Sequence, residues 1–171
     1  MLLSLLGRHM IPSGLIPDNP GGTMRVYQAG PLFTEAEILW HRAFRDKLAA
    51  ADIRVIWPGE FFSQREVEEM GGDAPRLIME KDRSAIDACD AVVALLDGPQ
   101  VDDGTAWEIG YAFAKDIPVI GIRTDFRRSG DTPYSRVNAM IEGSCVAIVS
   151  DVDAVLEKLE DITFSKKTEQ A

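Results

Sequence analysis

Five apolar stretches separated by segments of helical spacing predict an α/β protein. Its core is a doubly wound, five-stranded parallel sheet in the order 2-1-3-4-5. Three observations carry this. Residues 91–96 are continuously apolar, as a strand covered on both faces requires. Each apolar stretch is followed by a helical pattern long enough to cross back over a sheet. An acidic loop, Asp102 and Asp103, follows the third stretch, where the carboxyl edge of such a sheet would lie.

The elements follow in order. Residues 25–29 read as a short strand ended by Gly30-Pro31. Thr34 caps a helix, with Glu37 completing a capping box and Ile38, Leu39, Phe44 and Leu48 at helical spacing. Residues 53–56 form the second strand, closed by Trp57-Pro58-Gly59. The charged stretch 61–73 ends in Gly71-Gly72 and reads as a mobile loop with room for a helical turn. A helix over 75–88 places Pro75 in its first turn. The third strand, 91–96, leads into a helix over 106–115 capped by Asp103 or Thr105, which puts Glu108 in the first turn. Residues 117–122 are the fourth strand, 123–133 a polar loop and 134–141 a short helix. Residues 145–149 are the fifth strand and 153–159 the last helix. Residues 1–23 read as a flexible leader and 165–171 as a frayed polar tail around a domain spanning 24–164. Leu2, Leu3 and Leu5 of the leader are placed against a neighbouring subunit as one alternative.

Composition excludes several classes. The formal net charge is −10, opposite to the basic footprint that a nucleic-acid polymer demands. The apolar start of the leader is too short for a secretory core or a membrane span. Two cysteines, Cys89 and Cys145, make no disulfide framework and read as buried thiols of a reducing cytoplasm. His9 and His41 lie far apart, so no zinc site is expected. Strand one lacks a glycine-rich phosphate fingerprint, which argues against a dinucleotide or flavin cofactor.

In the predicted order, the carboxyl ends of strands one and three flank the ligand crevice. Tyr27, Gly30 and Phe33 come from the first; Asp102, Gly104 and Glu108 come from the third. Carboxylates beside aromatic groups suit a hydroxylated molecule with a planar ring, such as a nucleoside. Cleavage at its anomeric carbon needs paired carboxylates and no metal.

The segment Asp102-x-Gly104-Thr105-Ala106-x-Glu108-Ile109-Gly110-Tyr111-Ala112 resembles the signature of the nucleoside 2-deoxyribosyltransferase family. Tyr27-Gln28-Ala29-Gly30-Pro31-Leu32-Phe33 resembles that family's first strand and loop, and Asp82 and Asn138-x-Met140 match two further positions. The resemblance spans residues 24–161 and implies a flavodoxin-like fold, no cofactor and a homo-oligomer with shared active sites. It implies Glu108 as nucleophile, Tyr27 as the group that positions it, and Asp82 and Asp102 as partners of base and sugar. Asn138 and Met140 would reach a neighbouring subunit's site. The substrates implied are a deoxynucleoside and a free nucleobase, as in nucleotide salvage. Compact family members have no leader, and some end in an aromatic residue that this polar tail lacks.

Read without the resemblance, several residues keep a second role. Tyr27 is then a core aromatic with a satisfied hydroxyl, and Asp82 part of a solvated face in Glu80-Lys81-Asp82-Arg83. Asn138 and Met140 cap and pack a short helix. Phe33 and Trp57 are core or ligand wall. Arg123, Arg127, Arg128 and Arg136 are solvated or form a phosphate site, and His41 lies on the surface. Two functional alternatives stand beside the transferase. One is an N-glycoside hydrolase of 2'-deoxynucleoside 5'-monophosphates, which wants a Ser/Arg/Gly-rich loop after strand one. The other is a non-catalytic nucleoside-binding module, which has no need of Glu108.

Overall fold

The structure, a computed structural model, describes residues 22–169. The readings made for residues 1–21 lie outside these. The sheet has the expected order β2-β1-β3-β4-β5, with every pairing parallel. Its strands are β1 (Arg25–Ala29), β2 (Arg54–Ile56), β3 (Ala91–Leu95), β4 (Val119–Ile122) and β5 (Ala147–Val149). The helices are α1 (Glu35–Ala50), α2 (Gln64–Met70), α3 (Ala74–Asp87), α4 (Asp103–Ala114), α5 (Ala139–Ser144) and α6 (Val152–Glu169). β3 is buried along its whole length, which is why its sequence does not alternate.

Alternate residues of the central strands feed two cores. Tyr27, Val92 and Ala94 face Ala85 and Ile86 of α3 and Ile109 and Ala112 of α4. Val26, Val93 and Leu95 face Phe44 and Leu48 of α1 and Val155 and Leu159 of α6. The period of two in the strands thus sends Tyr27 toward α4 and its neighbours toward α1.

Four elements differ from the sequence reading. The stretch 61–73, read as a loop, holds α2. Ser63 and Glu66 form a capping box there, and Arg65 pairs with Glu69 one turn on. α4 begins at Asp103 instead of 106, because the Asp102 side chain caps it; Glu108 therefore sits in the second turn. The short helix read at 134–141 is α5, displaced toward the C-terminus by the Asn138 cap. α6 continues to Glu169 through part of the stretch read as a frayed tail. The capping box predicted at Thr34 and Glu37 is present.

His41 was expected on the surface and is instead fully buried. The amide nitrogen of Gln28 lies 2.7 Å from its Nδ1 and donates to its backbone oxygen at 3.0 Å. Because that amide is a donor, Nδ1 accepts. Nε2 then carries the proton and donates to the Pro31 carbonyl at 3.0 Å. Burial holds the imidazole pKa down, consistent with the neutral ring this network requires. The ring stacks on buried Trp57, so helix α1 fixes the turn that ends β1.

Candidate active site

The site forms where β3 hands the chain to α4. Asp102 closes the intervening loop by capping the helix, its Oδ2 accepting from the Thr105 amide at 2.9 Å and hydroxyl at 3.0 Å. Once the helix starts there, Gly104, Trp107 and Glu108 share one face at spacings of three and four. α3 opposes them with Pro75, Ile78, Met79 and Asp82, one face of that helix read over two turns. These seven residues line a cavity of about 250 Å³ whose walls are apolar except for two carboxylates. A Cβ on Gly104 would stand 3.2 Å from Asp102 Oδ2, so glycine leaves the cap undisturbed.

Glu108 is only 9% exposed. The Tyr27 hydroxyl, buried at the sheet, donates to its Oε1 at 2.5 Å. Burial pushes the Glu108 carboxyl up to about 8; the Tyr27 bond pulls it down, and the charges of Asp82 and Asp102 push it up. Burial likewise raises Asp82 to about 6, with Lys81 opposing. Asp82 Oδ1 is buried with no hydrogen-bond partner. A buried carboxyl oxygen without a partner, on a residue that lines a cavity, leaves hydrogen-bonding capacity for a ligand donor. The Tyr27 phenol is raised well above its usual range, first by burial and then by the Glu108 charge, so it remains a donor.

Tyr27, Asp82, Gly104 and Glu108 are thus brought together, with Asp102 at the mouth of α4. Tyr27 is a core aromatic and a site residue at once, because its ring packs in the core while its hydroxyl meets Glu108. Asp82 does not lie on a fully solvated face; it lines the cavity. Gly30 sits instead against His41, where an added Cβ would come within 2.5 Å of the ring. Phe33 is 78% exposed and Trp57 is core, so neither walls the cavity. Asn138 caps α5 by accepting from the Met140 amide at 3.0 Å and donates to Asp131 at 3.1 Å. Neither it nor exposed Met140 lines the cavity of its own chain.

Sequence reasoning missed Pro75, Ile78, Met79 and Trp107 as cavity residues. The signal was present: Pro75, Ile78 and Met79 lie seven, four and three positions from Asp82 on the same helix face, and Trp107 lies three positions from Gly104. Among the described residues no group of three His, Cys, Asp or Glu is arranged to hold a metal ion. Cys89 and Cys145 are free, and burial raises them to about 12 and about 11. No helix among the described residues is long and apolar enough to cross a membrane.

Among curated proteins, an uncharacterised protein of Schizosaccharomyces pombe is 36% identical over 109 residues, covering 60% of this chain and 51% of that protein. An uncharacterised protein of Ureaplasma parvum is 34% identical over 103 residues, covering 53% and 60%. The chain therefore spans about half to three-fifths of these relatives' own length. Among solved structures, a conserved protein from Enterococcus faecalis superposes with a TM-score of 0.69 at 27% identity, covering 81% of this chain and 98% of that one. A 2-deoxyribosyltransferase from Bacillus psychrosaccharolyticus shares the fold with a TM-score of 0.65 at 24% identity, covering 77% and 89%. A CMP N-glycosidase from Clostridium botulinum shares it at a TM-score of 0.51 and 21% identity, covering 80% and 99%. The sequence model of the nucleoside 2-deoxyribosyltransferase family matches residues 26–158, a stretch that runs from β1 through α6 and holds Tyr27, Asp82 and Glu108. This chain belongs to the nucleoside 2-deoxyribosyltransferase family.

Proposed function

We propose that the protein transfers 2-deoxyribose between nucleobases through a covalent deoxyribosyl-Glu108 ester. The observation that carries this reading is one buried carboxyl, Glu108, held by a phenol and facing a second, Asp82, across an apolar cavity. In the first half-reaction a Glu108 oxygen forms a bond to the anomeric carbon as the bond to the base nitrogen breaks. The electron pair leaves with the base, and Asp82, its carboxyl raised to about 6 by burial, supplies the proton. The second base then attacks the same carbon, returning its proton to Asp82 and the carboxylate to Glu108. Positive charge developing on the sugar ring favours the ionised Glu108 that burial alone disfavours.

Transfer, as against hydrolysis, rests on the cavity walls. Water competes at roughly 55 M, so an acceptor base must be held at high effective molarity. Trp107, Ile78 and Met79 offer apolar and aromatic surface for a planar base beside Glu108. No basic side chain is among the residues that line this cavity, which supports a nucleoside over a 5'-monophosphate donor.

The test is product ratio. With 2'-deoxyinosine and free adenine, 2'-deoxyadenosine should form faster than free 2-deoxyribose accumulates, and ribonucleosides should react poorly. Free sugar dominating at saturating adenine, or reaction only with 5'-monophosphates, would replace the transferase with the hydrolase. Binding without turnover would leave a nucleoside-binding module.

A further inference from the structure

A second cavity, about 420 Å³, opens at the carboxyl ends of β4 and β5 and shares no lining residue with the first. Its walls include Arg123, Arg127, Arg128 and Arg136, with Thr124 and Ser150, against a single acid, Asp125. This is a local reversal of charge in a chain whose formal net charge is −10.

The charges do not balance within the cavity. Arg127 holds Asp125 through contacts of 2.5 to 3.1 Å, which keeps that carboxyl far below its usual range. Arg123 reaches the same carboxylate only at 3.8 Å, so two guanidinium groups share one counter-charge. Among the described residues Arg128 and Arg136 have no carboxylate partner; their side chains meet the Tyr134 and Ile148 carbonyls at 3.4 and 3.3 Å. The Arg123 side chain is 2% exposed, and its Nε is buried without a partner. Arg128 and Arg136 are exposed at the cavity, so their guanidinium groups can turn to an incoming anion, and planar N–H forks match phosphate oxygens. Phe126, 94% exposed on the wall, offers an open ring face for a base.

We propose that this cavity binds a phosphate-bearing small molecule of nucleotide class, its phosphate seated on Arg128 and Arg136. The overall negative charge of the chain disfavours a polymer at the same place. Arg123 carries the consequence inward, because its guanidinium also holds the carbonyls of Leu96 and Gly98. Those residues begin the loop that ends at Asp102, so the cavity and the α4 cap share one segment. The proposal does not depend on the reaction assigned to Glu108.

Calorimetric titration of the Glu108→Ala protein at fixed ionic strength tests it, with inorganic phosphate, 2'-deoxyadenosine and its 5'-monophosphate as probes. Arg128→Gln with Arg136→Gln should weaken phosphate and the monophosphate at least tenfold and leave 2'-deoxyadenosine unchanged. The single Arg128→Gln protein reads the same effect if the pair fails to fold. Competition between monophosphate and nucleoside would assign the phosphate to the substrate itself; simultaneous binding would assign it to a separate ligand. Affinity for phosphate and monophosphate unchanged by the substitutions, or no binding beyond that of sodium chloride, overturns the site.

Discussion

The Tyr27 hydroxyl and Glu108 Oε1 meet at 2.5 Å inside the protein, although 81 positions separate the two residues. The bond joins the third residue of β1 to the second turn of α4. It favours the ionised carboxylate in a place where burial opposes it. A phenol that keeps its proton serves this purpose because burial and the Glu108 charge both raise its pKa. The pair is therefore a device for orienting a carboxylate and moderating its basicity.

Tyr27→Phe removes that bond with little change in shape. The Glu108 carboxyl should rise further, so the ascending limb of the kcat/KM profile should move to higher pH. Activity at pH 7 should fall by about ten- to a hundredfold. An unchanged profile in a folded Tyr27→Phe protein would remove Tyr27 from the mechanism.

The same carboxyl should be visible in stability. Its folded pKa of about 8 lies above the ordinary 4.5, so the native state holds a proton that the unfolded chain releases. Stability from this group is complete below the unfolded value and is lost as pH rises from about 4.5 through about 8. Glu108→Gln abolishes this loss along with turnover. Its stability relative to wild type should therefore grow between pH 5 and pH 8.5, by an amount on the order of a few kcal/mol at most. Urea denaturation at the two values measures it, and a difference independent of pH would contradict the buried, proton-holding carboxyl.

Asp82 makes a prediction of mixed sign. Its charge raises Glu108, so Asp82→Asn should let Glu108 ionise at lower pH. The same change removes the group proposed to protonate the leaving base, and kcat should fall by about a hundredfold or more. The lower limb reports the lost charge alone, so the fall in kcat of a folded Asp82→Asn protein is what marks Asp82 as catalytic, and an unchanged kcat would remove it from the mechanism.

The sheet order was legible because burial on both faces leaves continuous apolar runs such as 91–95, and right-handed crossovers restrict their arrangement. Glu108 was legible as a cavity residue because an acid among the apolar groups that follow a buried strand has no role in the core, whereas the capping of α4 by Asp102, read for Asp103 or Thr105, was not. The role of His41 was not legible. A histidine on a helix reads as surface until Gln28 and Pro31, ten or more positions away, supply its hydrogen bonds. Nor does the run of arginines after β4 announce that Arg123 turns inward to hold the carbonyls at the end of β3. Pairings of this kind are set by tertiary approach, which periodicity does not encode.

Gly30 joins the two lessons, since its sequence position suggested ligand contact and its environment shows close approach to His41. Gly30→Ala would force a Cβ to within 2.5 Å of the buried ring. The expected cost is about 1–3 kcal/mol, with the turn after β1 displaced. Thermal melting of Gly30→Ala checks it; an unchanged melting temperature would show that the ring can yield.

The last prediction concerns assembly. The cavity beside Glu108 has walls from α3 and α4 of its own chain, while Asn138 and Met140 stand outside it on α5. Met140 is 79% exposed, and the Asn138 side chain is spent on the α5 cap and Asp131. If another copy of the chain lies against α5, as the family resemblance implies, Asn138 and Met140 meet the neighbour's cavity. Glu108→Ala should be inactive, and Asn138→Ala should lose activity if it removes a contact to the neighbour's substrate. In a mixture, some hybrid sites combine intact Glu108 from one chain with intact Asn138 from the other. Up to about a quarter of wild-type activity should return when chains exchange freely in a dimer, since random mixing makes half the molecules hybrids with one intact site each. The comparison is activity before and after exchange, with hybrid formation verified by differently tagged chains. Full hybrid formation without rescue would confine the site to one chain, and Asn138→Ala would then act only through the α5 cap.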